Sequence, residues 1–132
     1  MANPFDDIQI DPNSWAWSEL QGRDRWEAFD PVFGSLTIVG TPSYLGRLRQ
    51  IGAECEFQVQ FSAGTSIAST AGTDYLNLPI TARGLSGIAV MTNLTTNIAV
   101  GVCHIDVANS RCYLPAQLAS GNVFTITGRF EI

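Results

Sequence analysis

Residues 103–112 read CHIDVANSRC and hold the chain's one histidine, His104, with two of its three cysteines, Cys103 and Cys112. Two thiols, an imidazole and Asp106 this close together are the side chains of a zinc site, a redox pair or a general base. Their spacing predicts something plainer. With a tight turn at Ala108–Asn109, where Asn tolerates positive φ, Val107 faces Ser110, Asp106 faces Arg111, Ile105 faces Cys112 and His104 faces Tyr113. Cys103, Ile105, Val107 and Cys112 then share an apolar face, with the two thiols as diagonal neighbours, and a disulfide would require the register to slip by one pair. His104 and Asp106 share the opposite face, which carries no thiol, and zinc wants three or four converging ligands. The expectation is a structural hairpin with an Asp106–Arg111 charge pair worth about 0.2–1 kcal/mol, three reduced cysteines, no metal, no cofactor and no catalytic residue.

Other chemistry-bearing motifs fail sooner. The chain has no G-x-S-x-G elbow, no phosphate-binding G-x-x-x-x-G-K-[ST] loop and no H-E-x-x-H pair. Glu54 and Glu56 lie on one face of a strand pattern, about 7 Å apart by strand geometry. An acid–base pair would need a cleft there, and a solvated sheet face is the expected setting. Asn93-Leu94-Thr95 matches a glycosylation sequon, but the start of the chain shows no basic region followed by an apolar core, so no secretory route is expected.

The elements that must position these residues alternate with period two. In AECEFQVQFS, Cys55, Phe57, Val59 and Phe61 take one face and Glu54, Glu56, Gln58 and Gln60 the other, which predicts a strand with one buried face. In NVFTITGRFEI, Phe124, Ile126, Phe130 and Ile132 share a parity, with Gly128 read as a bulge. Weaker strands are predicted at 35–39, 43–51, 74–80, 87–93, 98–107 and 111–116. About eight short strands separated by turn residues predict an all-β, antiparallel β-sandwich of jelly-roll type.

Charge and aromatic content divide the chain. Of its 132 residues 14% are charged, well below the roughly 25% of average domains. The whole formal charge of −5 lies in residues 1–30, where Asp6, Asp7, Asp11, Glu19, Asp24, Glu27 and Asp30 outweigh Arg23 and Arg25. All three tryptophans, Trp15, Trp17 and Trp26, lie there too, and the chain has no lysine. With no basic stripe to neutralise phosphates, nucleic-acid binding is not expected. No apolar run approaches the roughly 18 residues of a membrane span, so no membrane insertion is expected. Pro31 and Gly34 punctuate the change of composition and place the expected boundary there: an N-terminal attachment arm over 1–34, with little regular structure, and a β-sandwich domain over 35–132.

Residues 41–132 also carry an ordered set of features. An aromatic and arginine strand (YLGRLRQIG) is followed by an alternating strand (CEFQVQF), then by TSIASTAGTDYLNLPITA, a small-residue strand, and the close SGNVFTITGRFEI, which fits an F-x-I-x-G-x-[YF] ending. This order resembles the C-terminal β-domain of tailed-bacteriophage virion proteins: tail fibres, head fibres and decoration proteins. It covers about 70% of the chain. The resemblance implies a β-sandwich assembled as a homotrimer, and residues 1–30 have no counterpart in it.

Together these readings set the functional expectation. It is a non-enzymatic virion protein made in the bacterial cytoplasm, attached as a head fibre or decoration protein to the major capsid or tail protein. Trp15, Trp17, Trp26 and Phe29 are the expected anchors. The alternative is a tail-fibre or tail-tip receptor-binding domain that engages a host-surface polysaccharide, with Tyr44, Tyr75 and Tyr113 as stacking residues. A depolymerase is a third class, and Glu54 with Glu56 does not supply its groove.

Overall fold

A computed structural model describes residues 25–132, except 41, 63, 65, 69–71, 86, 116–117 and 120. All its regular structure is β: β1 (Glu27–Phe29), β2 (Phe33–Gly34), β3 (Thr37–Val39), β4 (Tyr44–Ile51), β5 (Glu54–Ser62), β6 (Ser66–Ala68), β7 (Tyr75–Asn77), β8 (Gly87–Asn93), β9 (Ile98–Asp106), β10 (Arg111–Tyr113) and β11 (Val123–Glu131). Nine of them form one antiparallel sheet in the order β1-β4-β5-β11-β8-β9-β10-β7-β2, and β3 pairs with β6 in a separate ribbon. The sheet curls into a half-barrel, a sandwich-like arrangement around one core. The all-β antiparallel fold is as the alternation predicts, and all eight predicted strands are present.

Period two explains the core directly. Cys55, Phe57, Val59 and Phe61 of β5 are all buried, while on the opposite face Glu54 and Gln60 are exposed and Glu56 and Gln58 half-buried. Phe124, Ile126 and Phe130 of β11 join them, with Ala89 and Met91 of β8, Cys103 and Ile105 of β9, Cys112 of β10 and Leu76 of β7. Each large side chain so buried contributes about 1.5–3 kcal/mol. Gly128 is not a bulge: it stays in register with Phe57 on one side and Ala89 on the other. A Cβ there would stand 2.7 Å from the Ala89 Cβ, so close approach of β8 is what keeps the residue small. The ladder irregularity lies elsewhere, in β9, where Met91 pairs with Gly101 and Thr92 with Ala99, leaving Val100 over.

β9 joins the two halves. Its residues Ile98–Cys103 pair with β8, and His104–Asp106 pair with β10 on the other edge. Such a strand, shared by two layers and bent at a bulge, turns the corner of a curled sheet. Asn93 caps the preceding loop, its side-chain oxygen accepting from the backbone N–H of Thr95 (3.0 Å) and Thr96 (3.2 Å).

The expected boundary after residue 34 is corrected by the topology. β1 pairs with β4 at one end of the sheet and β2 pairs with β7 at the other. Residues 30–32 alone separate these two strands. Four residue steps reach at most about 14 Å, so the two sheet ends must stand close together. Phe33 of β2 closes the seam, its ring 4.7 Å from that of Phe61 on β5 and 6.0 Å from that of Tyr44 on β4. Residues 27–34 are therefore a clasp that belongs to the domain. Their two strands are too short to show a period, which is why composition assigned them to the arm.

Candidate binding surface

The 103–112 hairpin has the predicted register: Arg111 opposite Asp106, Cys112 opposite Ile105, Tyr113 opposite His104. Its turn spans Val107–Ser110, closed by the Ser110 N–H donating to the Val107 carbonyl at 3.3 Å. The positive φ falls on Ser110 (53°) rather than on Asn109. Asn109 serves the turn through its side chain: its Nδ2 donates to Asp106 Oδ2 at 2.8 Å and its backbone N–H to Oδ1 at 3.3 Å. That side-chain bond, ahead of the backbone one, holds the Asp106 carboxyl below its ordinary range. The expected Asp106–Arg111 charge pair is replaced. Asp106 is turned to Asn109, and Arg111 lies with its guanidinium 4.1 Å from the centre of the Tyr75 ring.

Strand pairing extends this face across four strands. β10 pairs with β7, so that Tyr113 is opposite Tyr75 and Arg111 opposite Asn77, and β7 in turn sets Tyr75 opposite Gly34 of β2. One transverse row is thus His104, Tyr113, Tyr75 and Gly34, and a parallel row is Asp106, Arg111 and Asn77. At about 4.8 Å per strand the three rings cover roughly 10 Å. His104 stacks on Tyr113 (centroids 6.1 Å), and Tyr113 meets Tyr75 edge-on (5.7 Å). Gly34 lies under Tyr75, whose ring occupies the space a side chain at residue 34 would need. Arg111 Nη1 donates to the Tyr113 hydroxyl at 3.5 Å, a long bond, and among the described residues most of its other donors have no acceptor. A shallow concavity of about 320 Å³ lies beside the row, lined by Val102, His104, Tyr113, Pro115 and Gly72.

Two of the three predicted stacking tyrosines, Tyr75 and Tyr113, are thus brought together, and Tyr44 stands apart on β4 against Phe33. The hairpin register alone shows His104 beside Tyr113. Tyr75 joins through its pairing with Tyr113, 38 positions along the chain, for which the sequence carries no local signal.

Of the four predicted anchors, Trp15 and Trp17 lie outside the described residues. Phe29, expected as a projecting anchor, sits on β1 and packs against the core. Trp26 is held by its own domain. Arg47 and Arg49 of β4 place their guanidinium carbons 4.5 and 4.6 Å from its ring centre. Each arginine is fixed in turn from β5: Arg47 Nε donates to Gln58 Oε1 at 2.7 Å, and Arg49 Nε donates to Glu56 Oε2 at 2.9 Å, with Nη2 at 2.8 Å from the same oxygen. Glu56 is therefore an ion-pair partner of Arg49. Among the described residues, no three His, Cys, Asp or Glu side chains converge as metal ligands would.

Compared with family models, with curated proteins and with solved structures, the chain matches none of them.

Proposed function

We propose that the chain is a non-enzymatic structural protein of a tailed-bacteriophage particle. It is a head-attached fibre or decoration protein, assembled as a homotrimer, whose acidic, tryptophan-bearing leader docks to the capsid. The single observation that supports this best is the clasp at Trp26–Gly34. The chain enters the β-domain at a point fixed by two arginines and two edge strands, while Trp15, Trp17 and most of the net charge lie upstream of it. A fixed entry point suits a leader that transmits attachment to a separately folded knob. With Trp26 and Phe29 engaged by the domain, Trp15 and Trp17 are the residues left to grip the particle. Deleting residues 1–24 while keeping the clasp should leave a folded domain that no longer co-sediments with particles lacking the protein. Undiminished co-sedimentation would refute the anchor.

A second reading, a receptor-binding tip engaging a host-surface polysaccharide, is favoured by the row His104, Tyr113 and Tyr75. Aromatic rings offer a stacking platform, and the adjacent carboxylate, guanidinium and amide suit hydroxyls that both donate and accept. Cell-binding competition by the isolated protein, lost in Tyr113→Ala, tests this reading; equal competition by that variant counts against it.

A further inference from the structure

Arg111 is held on its ring differently from the other stacked arginines. A guanidinium meets a ring with its face, while its N–H donors lie in its own plane, so the contact leaves the edge free to bind. For Arg47 and Arg49, stacked on Trp26, that edge is taken by Gln58 and Glu56. Arg111 lies 4.1 Å from the centre of the Tyr75 ring and, among the described residues, makes only the 3.5 Å bond to Tyr113. The nearest carboxylate is already engaged. Both oxygens of Asp106, the register partner of Arg111, accept from Asn109. Asn77, the partner on the other side, is neutral. Tyr75 thus supports a cationic fork whose edge matches a carboxylate, two acceptor oxygens in one plane.

The rest of the row says where that carboxylate sits in its ligand. With Arg111 over Tyr75, the rings left for stacking are Tyr113 and the exposed His104. The concavity of about 320 Å³ opens beside them, bordered by Val102 and Pro115. Arg111 and Tyr113 are two residues apart on β10, about 7 Å along the strand. A sugar ring seated over Tyr113 therefore places its neighbour in the chain at Arg111. We propose that His104, Tyr113 and Arg111 recognise an acidic polysaccharide, one whose repeat contains a hexuronic acid. His104 and Tyr113 stack on one sugar, and Arg111 receives the carboxylate of the next through two parallel N–H···O bonds. The proposal rests on the receptor-binding reading and names its class of polysaccharide. The charge distribution supports it: residues 31–132 carry no net formal charge, so the domain as a whole does not repel a polyanion. Asp106 is the one carboxylate in the two rows. It must weaken binding of an anionic ligand and leave a neutral one unaffected.

The test titrates the full chain at one ionic strength with polygalacturonate, polymannuronate and hyaluronate, and with the same polymers after reduction of their carboxylates to alcohols. At least one polyuronate should bind, and its reduced form should bind about tenfold more weakly. The reduced polymers probe the carboxylate on the parent protein, whatever the variants do. Arg111→Gln should lose about tenfold for that polyuronate, and Arg111→Lys, which keeps the charge without the fork, should lose most of the same. Asp106→Asn should gain about two- to threefold for the polyuronate and nothing for its reduced form. Arg83→Gln, the same loss of charge at an exposed position outside the rows, should bind as the parent does. Binding of no polyuronate, equal binding of the reduced polymer, or equal losses in Arg83→Gln and Arg111→Gln would overturn the proposal. Cell competition that needs Tyr113 but not Arg111 would overturn this inference alone. Competition that needs neither residue would overturn the receptor-binding reading with it.

Discussion

The two ends of the curled sheet both set arginine against an aromatic ring, and they do so to different effect. At the β4 end the Trp26 indole meets Arg47 and Arg49, and each guanidinium is held by an acceptor on β5. At the β7 end Arg111 lies over Tyr75, and among the described residues its one side-chain hydrogen bond is the 3.5 Å contact to Tyr113. The glycines repeat the contrast. Gly46 of β4 yields its side-chain space to the backbone of Phe29, whose carbonyl oxygen would stand 2.7 Å from a Cβ, whereas Gly34 yields its space to the movable end of the Tyr75 ring. The same cation–π chemistry thus makes a rigid lock where its partners are all engaged, and an adaptable surface where donors remain open.

The largest expected effect is at the seam where the two ends meet. Phe33→Ala removes the ring that packs on Phe61 and should cost about 2–3 kcal/mol in urea unfolding, somewhat below the 3–5 kcal/mol of a fully buried phenylalanine. A cost under about 0.5 kcal/mol would mean that the ends are held by something else. The glycine pair comes next. Gly46→Ala must displace backbone and should cost about 1–3 kcal/mol. Gly34→Ala should leave the midpoint nearly unchanged while moving the Tyr75 and Tyr113 ring resonances. Equal losses at the two positions would erase the distinction between lock and surface.

Trp26→Ala should then cost about 1–2 kcal/mol and Arg111→Ala measurably less, since a cation–π contact is worth more where the partners are held and partly desolvated. The reverse order would contradict the contrast. The smallest effect is electrostatic. The folded pKa of Asp106 is depressed by Asn109, so its contribution is present above the unfolded value of about 3.9 and is lost as pH falls through the folded value. Asn109→Ala should therefore lower stability slightly at pH 7, where the contribution is fully present, with the difference from the parent protein vanishing as pH falls through the folded value.

How much of this was legible depends on range along the chain. The alternation in 54–62 and 123–131 and the hairpin register at 103–112 are local patterns, and they appear in the structure as read. The clasp was hidden because β1 and β2 have three and two residues, too few for a period, and their partners lie at opposite ends of the sheet. The ring row was half legible: His104 and Tyr113 share a hairpin, whereas Tyr75 arrives through a distant strand. Asp106 and Arg111 were placed opposite one another correctly, yet each found a better partner. A short polar turn residue reaches the carboxylate, and a tyrosine ring receives the guanidinium.

The central claim is that residues 27–34 complete the sheet, so that the domain folds without residues 1–24, which the proposed function assigns to attachment. Thermal unfolding of two truncations, one starting at residue 25 and one at residue 35, tests it most directly. The account predicts that the first melts with the full chain and that the second, stripped of β1 and β2, loses its cooperative transition or melts many degrees lower. A second truncation that melted with the full chain would contradict it.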